Sequence, residues 1–77
     1  MKILLFARAR DLIGADCVDL DDAASVGELR HRLMQRYPTL ASLIEKSAFA
    51  VNDEFADDIA PIPPGAEVAL LPPVSGG

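Results

Sequence analysis

Tryptophan is absent from this chain, and cysteine, histidine and tyrosine occur once each. A single cysteine, Cys17, excludes an internal disulfide, and it reads as a small core residue of a short strand rather than a persulfide carrier. His31, placed between Arg30 and Arg32 with no second histidine or nearby cysteine, gives no metal-ligand spacing and is expected to face solvent. Positive charge is scarce as well. Lys and Arg number 7 against 12 Asp and Glu, a formal net charge of −5. That field repels phosphate backbones and anionic lipid, so neither nucleic acid nor a membrane is an expected partner. No apolar run approaches the roughly 18 residues of a membrane span. The apolar opening, Met1 to Phe6, turns polar at Arg8 before a secretory hydrophobic region could form, so a cytoplasmic location is expected.

What remains is enough for one small domain. Hydrophobic residues make up 51% of the 77 and charged residues 25%, a normal globular balance. A chain of this size buries only about 60% of its unfolded surface, which argues against a large enclosed active site. Lys2 to Ala7 is apolar on both sides, the pattern of a central, doubly covered strand, and by that reading Phe6 belongs to the core. Arg8 to Gly14 reads as a connection, with Gly14 taking a positive φ, into a short strand at Cys17 to Leu20; a hairpin is the economical form. Ser25-Val26-Gly27-Glu28 has capping-box spacing and should start a helix. Val26, Leu29 and Leu33 form its apolar stripe, with Arg30, Arg32 and Gln35 off it, and Pro38 ends it near Tyr37. A shorter helical segment follows, ending near Lys46. Ala48 to Val51 is a third strand closed by the turn Asn52-Asp53, Phe55 to Ile59 a short edge strand, and Glu67 to Leu71 the last strand, after the Pro63-Pro64-Gly65 turn. Asp21-Asp22 and Asp57-Asp58 read as solvated loops.

This element order suits an α+β roll, a mixed sheet packed on one main helix. Parallel pairing of the first and last strands would make it the β-grasp of ubiquitin. Residues 1–72 then form the domain, and 73–77 a flexible, protruding tail.

The tail carries the functional signal. Val74-Ser75-Gly76-Gly77 follows the Pro72-Pro73 break, and two residues without Cβ atoms can pass through a narrow channel in another protein. Six residue steps separate Leu71 from Gly77, an extended reach of about 20 Å at about 3.3–3.6 Å per residue.

The segment Leu4 to Gly14, the helix around Leu29 to Tyr37, the Val51-Asn52 turn and the ending Leu71-Pro72-Pro73-Val74-Ser75-Gly76-Gly77 together resemble the small, sulfur-carrying subunits of molybdopterin synthase, which belong to the ubiquitin-like sulfur carriers. The resemblance spans nearly the whole chain and departs from the family pattern at neither end. It implies that Gly77 is adenylated by a ubiquitin-activating-like adenylyltransferase. A cysteine desulfurase or rhodanese-type donor would then convert it to a thiocarboxylate, which passes sulfur to cyclic pyranopterin monophosphate on the large subunit of molybdopterin synthase. No cofactor is held permanently; AMP and sulfur are transient at the C-terminus, no metal is bound by the carrier, and the active site is on the large subunit of a heterotetramer. Gly76, Ser75 and Val74 would thread, while Leu71, Pro72, Pro73 and Phe6 would dock and Arg8 and Arg10 would meet acidic groups of a partner. Two other readings share the Gly-Gly end: a sulfur carrier for thiamine or thiolated nucleosides, and a ubiquitin-like modifier conjugated through Gly77.

Overall fold

A computed structural model describes residues 1–73. The elements are β1 (Lys2–Leu5), α1 (Ala7–Ile13), β2 (Cys17–Asp19), α2 (Val26–Arg36), a 3₁₀ turn (Pro38–Leu40), α3 (Ala41–Lys46), β3 (Ala48–Val51), β4 (Glu54–Ala56) and β5 (Val68–Leu71). The strands form one sheet in the order β2-β1-β5-β3-β4. At its centre β1 and β5 run parallel, with Ile3 opposite Val68 and Leu5 opposite Leu70. Every other pairing is antiparallel. Since β1 and β5 stand at opposite ends of the sequence, α2 supplies the crossover that parallel strands require.

Alternation divides the sheet into two faces. Ile3, Leu5, Phe49, Val68 and Leu70 are buried on one, against Val26, Leu29 and Leu33 of α2. Ile44 of α3, Ala9 of α1 and Ile62 complete this core. Each large side chain so buried contributes about 1.5–3 kcal/mol. The opposite face stays partly exposed at Leu4, Ala50, Ala69 and Leu71, so β1 is not covered on both sides as its apolar pattern suggests.

The start of α2 is set by local chemistry. Ser25 is extended and its hydroxyl accepts from the Glu28 amide at 3.2 Å, while a Glu28 carboxylate oxygen accepts from the Ala24 amide at 2.9 Å. Two further amides of the first turn, Val26 and Gly27, donate to the Ala60 and Asp58 carbonyls at 3.1 and 2.8 Å. Gly27 eases this approach, because a Cβ there would stand 3.1 Å from the Asp58 carbonyl oxygen, a tight contact.

Three elements differ from the sequence expectation. The connection after β1 is a helix: Ala7–Ile13 coils around the buried Ala9, and Gly14, left-handed at φ 81, caps it through its amide to the Arg10 carbonyl. Alanine, arginine and leucine all favour helix, which an expected hairpin loop would not use. β1 therefore ends at Leu5, not Ala7. The edge strand β4 starts at Glu54 and ends at Ala56, because Asn52 and Asp53, at φ 51 and 68, make a two-residue turn that restarts pairing at once. Arg30, expected to stand off the apolar stripe, is largely buried at its side chain. Its guanidinium lies 5.0 Å over the Phe49 ring and donates to the Ile44, Glu45 and Ser47 carbonyls at 2.7, 3.1 and 2.7 Å. It also meets Asp58 at 3.0 Å.

Arg30 thus joins α2, the carbonyl end of α3, β3 and the loop after β4. Arg30→Ala removes the guanidinium donor from these carbonyls, of which Ile44 keeps only the Ser47 amide at 3.1 Å, and should cost about 2–3 kcal/mol in urea unfolding, whereas Arg30→Lys, lacking the planar fork, should recover less than half of it. A loss under about 0.5 kcal/mol for Arg30→Ala would show that the network is dispensable.

Candidate functional site

The parallel register brings the C-terminal ends of β1 and β5 to one edge of the fold. Leu5 and Leu70 are partners, so the residues that follow them stand side by side: Phe6, just past β1, and Leu71, the last residue of β5. Leu71 is also the partner of Ala48 at the start of β3. Beyond it Pro72 is half-buried and Pro73 exposed, and neither proline has an amide to continue the ladder. Val74, Ser75, Gly76 and Gly77 lie outside the described residues, so the threading and reacting positions expected of them rest on the sequence.

Phe6 is not a core residue. It remains extended, at φ −127 and ψ 158, immediately before α1. In an extended chain its side chain falls on the face opposite Leu5, and it is 43% exposed. Ala7 then turns the chain into α1 through the left-handed region at φ 51, a conformation that an L-residue adopts only at a cost. This turn buries Ala9 and leaves Arg8 and Arg10 exposed. Arg10 approaches Asp11 at 4.0 Å across open solvent, a contact worth little. Arg8 makes no ion pair among the described residues. Lys46, the last residue of α3, stands two positions before Ala48, the partner of Leu71. Arg8, Arg10 and Lys46 are thus exposed cations on segments that adjoin β1 and β3, in a protein of net negative charge.

One face of the sheet extends from this point. Register aligns Leu4 with Ala69 and Cys17, Ala69 with Ala50, and Ala50 with Phe55, so these share the face that carries Phe6 and Leu71. Cys17 is half-buried there rather than in the core. Phe55 is 78% exposed. The sequence places Phe55 in an edge strand without marking it as a surface residue; its partnership with Ala50 across the Asn52-Asp53 turn is what sets its face. His31 is exposed, as expected. Among the described residues no three His, Cys, Asp or Glu side chains are arranged to hold a metal ion, and no helix is long and apolar enough to cross a membrane.

A mixed five-stranded sheet clasping a helix, with its last strand central and parallel to its first, defines a ubiquitin-like β-grasp protein. Comparison narrows the class. The chain belongs to the ThiS family, whose model matches residues 3–77. It is 40% identical over 81 residues to a molybdopterin synthase sulfur carrier subunit from Dictyostelium discoideum, covering 99% of this chain and 94% of the relative. Among solved structures, small archaeal modifier protein 1 of Haloferax volcanii superposes with a TM-score of 0.73 at 30% identity, covering 95% of each chain. A chain in the complex of subunits 1 and 2 of the molybdopterin-converting factor from Helicobacter pylori superposes with a TM-score of 0.67 at 28% identity, covering 99% of this chain and 96% of that one.

The left-handed Ala7 generates a stability prediction. Ala7→Gly should raise unfolding stability by about 0.5–1 kcal/mol, because glycine populates that region without the Cβ penalty. A loss of stability instead would mean that the alanine methyl contributes packing that outweighs the strain.

Proposed function

We propose that this chain is the sulfur-carrier subunit of molybdopterin synthase, acting through a C-terminal thiocarboxylate on Gly77. The observation that carries the reading is the central register, which launches the Gly-Gly end from the middle of the sheet beside Phe6 in a chain similar over its full length to such carriers.

The chemistry follows from the carboxylate. Ionised at neutral pH, with a pKa near 3.5, it is a poor electrophile. Transfer of AMP from ATP to the Gly77 carboxylate, with release of pyrophosphate, gives an acyl adenylate. A persulfide sulfur then attacks the acyl carbon and AMP leaves. Reductive cleavage of the resulting acyl disulfide by a thiol frees the thiocarboxylate and leaves the donor cysteine in a disulfide. The sulfur is soft and anionic, suited to attack on a pyranopterin. The carrier's own contribution is delivery, since a tethered nucleophile replaces an encounter with free sulfide.

The exposed sheet face provides a docking surface for the large subunit, with Phe6 and Leu71 as apolar anchors around the exit and Pro72 and Pro73 stiffening it. Arg8 and Arg10 orient the approach toward acidic groups of the large subunit or of the adenylyltransferase. Catalytic groups belong to those partners, and the setting is cytoplasmic. A second reading, a protein modifier conjugated through Gly77, is favoured by the similarity to small archaeal modifier protein 1. It predicts reductant-resistant adducts bearing a Gly-Gly remnant on target lysines.

Reconstituted sulfur transfer tests the proposal. With large subunit, activating enzyme, ATP and a sulfur donor, removal of Gly76 and Gly77 should abolish dithiolene formation, and Gly77→Ala should slow it at least about tenfold. Both variants should unfold at the same denaturant concentration as the parent. Transfer rates equal to the parent's would overturn the reading.

A further inference from the structure

The two most exposed large apolar side chains stand together on the outer edge of the sheet. Phe55 is 78% and Ile59 90% exposed. Both line one open groove of about 710 Å³, together with Val51, Glu54, Asp57 and Pro61. Ile59 lies in a turn closed by the Ala60 amide to the Asp57 carbonyl at 2.9 Å. Turns of this kind favour small polar residues, and nothing in the fold calls for a β-branched side chain there.

The backbone beside this groove is open to a further strand. A two-residue turn makes Val51 and Glu54 a hydrogen-bonded pair, so the next pair, Ala50 and Phe55, is not bonded across β3 and β4. The Phe55 amide and carbonyl consequently point away from β3, at the outer edge of the sheet. Charge then decides what can join it. Asp53, Glu54 and Asp57 surround the edge without an ion pair among the described residues, and no lysine or arginine lines the groove. A second copy of this edge would set like charges against each other. The chain's own last four residues, Val74 to Gly77, offer a carboxylate and no cation.

We infer that the β4 edge, with the Phe55–Ile59 groove, docks an extended segment of a partner protein in which basic and apolar residues alternate, added to the sheet as a sixth strand. Apolar side chains of that segment pack beside Phe55. Basic ones lie on the other side, their aliphatic stems over Ile59 and their charged heads toward Glu54 and Asp57. This surface works independently of the sulfur chemistry at Gly77 and is tested on the unmodified chain.

The probe is a blocked heptapeptide of alternating lysine and valine, titrated into the full isotopically labelled chain and followed by amide NMR shifts. The expected result is perturbation confined to residues 53–60, centred on the Phe55 amide, with affinity falling as salt is added. A peptide with glutamate in place of lysine, and one N-methylated on the backbone groups facing β4, should each bind at least about tenfold more weakly. Ile59→Lys, a substitution at a side chain without core contacts, should weaken binding by about the same factor while leaving thermal unfolding unchanged. Shifts centred on Phe6 and Leu71 or on Asp19 to Asp22, undiminished binding of the N-methylated peptide, or no effect of Ile59→Lys would each overturn the inference.

Discussion

The parallel pairing of β1 with β5 is the constraint on which the rest of the molecule depends. It joins the two ends of the sequence at the centre of the sheet, and neither strand can be removed without exposing Ile3, Leu5, Val68 and Leu70 together. A parallel pair cannot be closed by a tight turn. The intervening chain must cross over, and α2 does so with its Val26, Leu29 and Leu33 stripe against the buried face. The same pairing determines where the C-terminal segment departs. Because Leu71 ends the central strand, Pro72 and Pro73 follow from the most firmly anchored part of the fold rather than from a frayed edge.

That placement reconciles a small domain with a task requiring precise delivery. A chain of this size has little interior to spare for an enclosed site. It can, however, carry an apolar surface beside the strand from which its last residues follow. The partial exposure of Leu4, Phe6, Leu71 and Phe55 has a counterpart in the sequence: β1 is apolar on both sides while the core uses only one. The second set of apolar residues is surplus to folding and suited to a partner. Arg8 and Arg10 stand exposed on α1 just past the end of β1, in a molecule whose net charge is negative.

Much of this architecture was legible where short-range chemistry decides it. The Ser25 cap, the α2 stripe, the Asn52-Asp53 turn and the run into Pro72-Pro73 each state their structure within a few residues. Failures occurred where distant contacts decide. A seven-residue helix such as α1 is marginal in isolation and is secured by docking Ala9 into the core, which no local pattern announces. Arg30 has the pattern of an ordinary surface arginine because the carbonyls it serves belong to the end of α3 and its cap residue Ser47, more than ten positions away. Phe6 read as core because the pattern of a strand does not reveal which of its faces will be covered. At the candidate site Leu71, Pro72, Pro73, Phe6, Arg8 and Arg10 belong to segments brought together by register, an arrangement invisible without strand pairing. Phe55 and Ile59 were seen only as members of an edge strand.

The central claim is that this fold presents a carboxylate for activation and sulfur loading. It is tested most directly by the intact mass of the chain after incubation with ATP, the activating enzyme and a sulfur donor. The account predicts a gain of about 16 Da, the difference between oxygen and sulfur, localised to the C-terminal peptide and dependent on ATP. An unchanged mass, with an activating enzyme shown to be competent on another carrier, would contradict it.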